Sequence, residues 1–165
     1  MDETRFFELI DEVRETGQTA SADPDQLAET LAELADDEVA GFVEQFALQS
    51  VRLNQWRIWG AGYVAQDGMG DDSFHYFRSW IIGAGAAAVS QALLDPDGLV
   101  DFFGDDEELE NEELEYIGVE ILEDRDVEDP RAGIMVDADP SGDRFDEHTV
   151  DGDFPRITAW AASRD

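Results

Sequence analysis

The sequence predicts an all-α fold: a single-domain, mostly antiparallel helical bundle of about five helices with an irregular acidic C-terminal tail. Apolar residues recur at helical spacing in one segment after another from Phe6 to Leu122, and strand-like alternation is scarce. Asp-Pro and Asp-Gly pairs punctuate these segments at intervals that suit helices joined by short connections. Beyond Glu128 the pattern dissolves into Pro, Gly and Asp. A chain of 165 residues can bury one sizeable core but hardly two. The expected organisation is therefore a helical domain over 1–128 and a tail, 129–165, packed on the same domain.

Phe6, Phe7, Leu9, Ile10 and Val13 give a first helix over 3–15 its apolar face, with Asp2 and Glu3 at its positive end and Gly17 near its stop. Asp23-Pro24 supplies an N-cap and a first-turn proline for a second helix marked by Leu27, Leu31 and Leu34. A third, longer helix is expected from Asp37 to Ala65, carrying Val39, Phe42, Phe46, Leu53, Ile58 and Tyr63 and stopped by Asp67-Gly68. The fourth starts at Asp71 or Asp72, both good N-caps, and runs through Phe74, Phe77, Trp80 and the alanines 86–88 to about Leu94. The short connection between helices three and four makes them a core hairpin. Asp95-Pro96 breaks the chain, 99–103 reads as a helical turn, and Leu114, Ile117, Ile121 and Leu122 mark a fifth helix ending near Glu123.

Forty-two acidic residues against ten basic ones give a formal net charge of −32, and every base is Arg. Such a surface repels nucleic-acid backbones and anionic membranes, both of which are bound through Lys and Arg. Neither is an expected partner. Self-repulsion of this density relaxes when salt shortens the Debye length, so a salt-rich cytosol of the halophilic kind is expected, although a GC-rich genome also favours Arg over Lys. The same charge suits a basic protein partner. The absence of cysteine excludes disulfides, thiolate chemistry and Cys-based metal sites. The start, Met-Asp-Glu-Thr-Arg-Phe-Phe, has no basic region followed by an apolar one, and no apolar run approaches a membrane span, so a cytoplasmic location is expected.

The most distinctive stretch is 55–80, which holds Trp56, Trp59, Trp80, Tyr63, Tyr76, Phe74 and Phe77 around an Asp-Gly turn. It reads as an aromatic hub with a small polar cluster at the bend. Its Trp59-Gly60-Ala61-Gly62-Tyr63 and its Asp71-Asp72, Phe74, Phe77-Arg78, Trp80 pattern resemble a bacterial domain-of-unknown-function family, numbered 4240. That family's hallmarks are a Trp-Gly-Ala-Ala-Tyr helix and a Ser-Asp-Asp, Phe, Phe-Arg, Trp-Leu-Ile helix. The likeness covers most of 1–125 and is densest over 56–82. It departs at Met69 and Gly70, and His75 is not part of the pattern. The resemblance implies no assigned activity. It also implies that the tail docks, because family members end in a Phe-Pro motif with a nearby tryptophan, matched by Phe154, Pro155 and Trp160.

Asp71, Asp72, His75 and Arg78 form the strongest polar constellation, since residues three and four apart share a helix face. As a catalytic set they would offer a carboxylate-oriented imidazole base and a guanidinium for an anionic substrate. The simpler reading has Asp72 as a helix cap, Asp71 at the positive helix end and Arg78 bridging to a structural carboxylate. Gly83, Gly85 and Ala88 mimic a dinucleotide fingerprint but sit inside an expected helix, where they serve packing instead. Asp137, Asp139, Ser141, Gly142 and Asp143 reproduce the opening of a calcium loop, yet His148 stands where its bidentate Glu belongs. These remain candidates for adventitious cation binding, and no specific metal or cofactor is expected. Nucleophilic catalysis has no anchor, with no nucleophile elbow and only His75 and His148 as imidazole bases.

The functional expectation is a cytosolic, non-enzymatic protein-interaction or regulatory module, neutralising a basic partner, with Trp56, Trp59, Tyr63, Asp71, Asp72 and Arg78 as its surface. The alternative is a small hydrolase or anion-binding enzyme using Asp71, Asp72, His75 and Arg78, which requires those side chains to converge in one partly apolar pocket.

Overall fold

Amphipathic spacing becomes helix wherever it was legible. The computed structural model describes residues 1–16, 20–105 and 108–164, with the backbone alone for 15 and 16. The expected helix stop at Gly17, and Asp106 and Glu107 of the acidic run, lie outside the described residues. Eight α-helices are found among the described residues: α1 Glu3–Thr16, α2 Pro24–Ala32, α3 Asp36–Leu53, α4 Trp56–Ala65, α5 Asp71–Gly83, α6 Ala86–Leu94, α7 Glu113–Asp124 and α8 Pro155–Ala162. Two 3-10 turns, Pro96–Phe102 and Val150–Asp153, complete the list, and no strand occurs among the described residues. None of these helices is long and apolar enough to cross a membrane.

The helices form one body around Phe6, Phe42, Phe77, Trp80, Ile81 and Phe103, all essentially inaccessible to solvent. Phe6 meets Phe42 at 4.8 Å, joining α1 to α3. A second, smaller cluster of Val39, Val43, Val119 and Leu122 seals α3 against α7. Burying side chains of this size is the main source of stability, about 1.5–3 kcal/mol for each large apolar residue.

The count of about five helices was too low, and each miss has a local cause. The expected third helix is two, α3 and α4, separated at Asn54 and Gln55. There the C-terminal segment enters: Ser141 donates its N–H to the Asn54 carbonyl at 3.0 Å, and its own carbonyl accepts from Trp56 at 3.0 Å. The side-chain amide of Asn54 also donates to the Ala138 carbonyl at 2.7 Å. Backbone groups that would have continued the helix are satisfied from far along the chain instead.

The expected fourth helix also divides, into α5 and α6, because Gly85 sits at φ +97°. A side chain there would be strained and would meet Asp11 and Arg14 of α1. The freed Gly83 carbonyl accepts from the Ala22 amide at 2.9 Å, tying the segment before α2 to the end of α5. The N-cap of α5 is Gly70, not Asp71 or Asp72, which lie exposed in the first turn and make no capping bond. They act on the positive helix end by charge alone.

The segment expected to be irregular also carries order. Pro155 opens α8, whose Ile157 is fully buried, and Trp160 meets Phe103 at 4.7 Å. Asp97 receives the first amides of α8, from Arg156 at 3.1 Å and Ile157 at 3.0 Å. It does for α8 what an N-cap does, from a distant point in the sequence.

Candidate functional site

The start of α5, the start of α4 and residues 137–140 enclose a cleft of about 480 Å³. Gly62 lets α4 lie close to α5: a Cβ there would lie 2.7 Å from both Met69 Sδ and Phe77 Cδ1. At that separation Trp59 stacks on Phe74 with ring centres 4.8 Å apart and planes 10° from parallel. Trp56 stacks on Trp59 in turn, at 4.9 Å and 8°. Trp59 is further locked by its indole N–H, which donates to the Met69 carbonyl at 2.9 Å. A guanidinium lies over each end of this three-ring ladder, Arg78 at 5.0 Å from the Phe74 ring and Arg144 at 5.2 Å from the Trp56 ring. Both are within cation–π range.

Arg78 is buried, at 4% exposure, and its donors point inward. Nη1 donates to the Ser50 carbonyl at 3.1 Å and the Val136 carbonyl at 3.2 Å, and Nη2 to His75 Nδ1 at 2.8 Å, while the buried Nε has no hydrogen-bond partner among the described residues. Burial pushes its guanidinium below the ordinary value, opposed by Glu115 and Asp137. Because a guanidinium can only donate, His75 Nδ1 must accept, which leaves the imidazole proton on Nε2 facing the Glu115 carboxylate. Asp137 Oδ1 lies 3.7 Å from the same Nδ1. Both ring nitrogens of His75 are thus engaged within the protein. The arrangement orients and holds; it offers no free imidazole nitrogen to a substrate.

At the rim the charge is of the other sign. Asp71, Asp72, Asp137 and Asp139 line the cleft and are exposed. Tyr76 and Tyr116 complete the wall. Tyr76 donates to Glu112 at 2.9 Å, and this bond, with burial and the carboxylate's charge, pushes its phenol up to about 12. Burial and then the carboxylates of Glu115 and Glu112 push Tyr116 up as well. Both stay neutral over ordinary pH.

Of the residues singled out from the sequence, Asp71, Asp72, His75 and Arg78 do converge on one partly apolar cleft, together with Trp56 and Trp59. Tyr63 does not join them. It faces the other way, packing on Phe145 at 5.2 Å with its hydroxyl 3.4 Å from Glu147. Asp137 and Asp139 belong to the cleft, whereas Ser141 Oγ donates to the Asn54 carbonyl at 3.4 Å and Asp143 stands apart from it. No group of three or more His, Cys, Asp or Glu able to hold a metal occurs among the described residues. Sequence reasoning missed Glu115, Tyr116 and Arg144. Glu115 was hidden in an acidic run that reads as a solvated face, and nothing local marks it as the partner of His75, forty positions away.

Residues 1–124 match the family model described as protein of unknown function (DUF4240). The match includes the ladder, His75, Arg78 and Tyr116, while the rim residues Asp137 and Asp139 lie beyond it. No curated protein and no solved structure matches the chain. With its helical body matched through the end of α7, the chain belongs to the DUF4240 family.

Proposed function

We propose that the protein is a non-enzymatic interaction module whose cleft receives a cationic side chain of a basic partner protein. One observation carries the reading: an aromatic wall edged by the exposed carboxylates of Asp71, Asp72, Asp137 and Asp139. The lining arginine, Arg78, is already bound inward by backbone carbonyls and His75, so it is poorly disposed to hold an anion. An anionic substrate entering the cleft would meet the carboxylates first. A cation would gain from them and from the rings. Arg144 over Trp56 is an intramolecular example of the same contact. The net charge of −32 adds long-range attraction for a basic partner. A salt-rich cytoplasm fits this composition, and there the binding depends on close contact, since the Debye length falls to about 3 Å at molar salt.

The test is calorimetric titration of N-acetyl-arginine amide, at low and at molar KCl, into the wild-type chain and two charge-matched variants. Asp72→Asn/Asp139→Asn removes two carboxylates from the cleft; Glu8→Gln/Glu12→Gln removes two from α1. The cleft variant is expected to lose about tenfold in affinity and the α1 variant less than about twofold. Equal losses in both would assign the attraction to the general field and dismiss the cleft.

A further inference from the structure

Tyr116 is one of the large side chains left substantially exposed, at 40%, and it borders more than the cleft. On its other side a groove of about 420 Å³ runs between α2 and α7, with Ala28 and Ile117 in its lining. The carboxylates of Asp25, Glu112, Glu113 and Glu120 edge that groove, and no basic side chain lines it among the described residues. One phenol ring therefore separates two depressions of the same character, each with apolar lining and an acidic rim. Aromatic rings at such a midpoint are the usual anchors of protein interfaces. The carboxylate rim of the groove between α2 and α7 favours a basic occupant over a second copy of this chain, whose own charge is −32.

We infer that the partner is recognised through a basic segment carrying two cationic side chains, one in the cleft and one in the groove between α2 and α7, with the intervening chain crossing Tyr116. The inference rests on the cleft reading given above and extends it from a single side chain to a segment. Linking two weak contacts makes the second intramolecular, so affinity rises steeply when the spacing matches and falls when it does not. Glu112 holds the Tyr76 hydroxyl and Tyr116 lies one turn further along α7, and both phenols line the cleft that the crossing chain leaves. In the groove between α2 and α7 a guanidinium or ammonium meets carboxylates and no competing base among the described residues, and in the cleft it meets the exposed carboxylates of the rim.

The experiment uses the full chain and two probes: N-acetyl-arginine amide, and capped peptides with two arginines joined by glycine spacers of varied length. At the best spacing the two-arginine peptide is expected to bind more than about tenfold tighter than the single arginine. Asp25→Asn/Glu120→Gln, both exposed positions, should remove that gain and leave the single-arginine affinity unchanged. Tyr116→Ala should also remove the two-arginine gain, with Tyr116→Phe retaining most of it and serving as the folding control. If the two-arginine peptide gains no more than the statistical factor at every spacing, or if Asp25→Asn/Glu120→Gln leaves its affinity untouched, the inference is overturned. The cleft reading then still stands or falls separately, on whether Asp72→Asn/Asp139→Asn weakens the single-arginine probe.

Discussion

Asp97 shows how much one side chain can hold at the scale of single residues. It is buried, at 7% exposure, and its carboxylate receives the Arg156 and Ile157 amides at the start of a helix whose first position is proline. Replacing it by alanine leaves those amides without this partner, that of Ile157 in a buried environment. Asp97→Ala is expected to lower stability by about 2 kcal/mol, at the upper end for loss of a cap, and Asp97→Asn by less, since one oxygen can still accept. Urea denaturation followed by circular dichroism checks both, and an alanine variant as stable as wild type would remove the capping account. From the sequence alone Asp97 was indistinguishable from other aspartates, because its partners lie some sixty residues away. Arg78 and His75 were legible as a pair, because their spacing puts them on one helix face, whereas their outer partners, Ser50, Val136 and Glu115, were not.

Between elements, close approach decides what helix propensity alone would get wrong. Gly118 lies in the middle of α7, where alanine is intrinsically better by about 1 kcal/mol. A Cβ at Gly118 would, however, come within 2.6 Å of Val43 Cγ2 on α3. Gly118→Ala is therefore expected to destabilise by about 1–3 kcal/mol, and Val43→Ala in the same chain to recover part of the loss. Thermal denaturation of the single and double variants tests this; a stabilised single variant would mean that α3 and α7 are not in tight contact. The breaks at Asn54 and Gly85 belong to this scale as well. Apolar periodicity continued through both positions, so the sequence reading ran α3 into α4 and α5 into α6. What interrupts them is the backbone of residue 141 in one case and the approach of α1 in the other.

For the molecule as a whole, charge is the dominant variable. Ion pairs such as Arg5–Glu8 and Arg52–Glu3 are exposed, and pairs of that kind contribute little each. They cannot offset a net charge of −32. The melting temperature is accordingly expected to rise markedly from low to molar KCl, as screening removes repulsion from the folded state. A flat profile across that range would show that repulsion persists equally in the unfolded chain.

Read by itself, the sequence determined the all-helical class, the approximate limits of α1 and α2, the end of α7, the identity of most core residues and the aromatic and acidic character of the 56–78 region. Each of these follows from periodicity or capping within a few residues, which is local information. The tertiary structure alone decided where long apolar runs break, that residues 137–140 wall the cleft, that Tyr63 turns away from it and that Glu115 meets His75. Those outcomes depend on contacts between segments far apart in the chain. No local propensity encodes them, because the backbone and charged groups involved are satisfied only once the fold has brought their partners together.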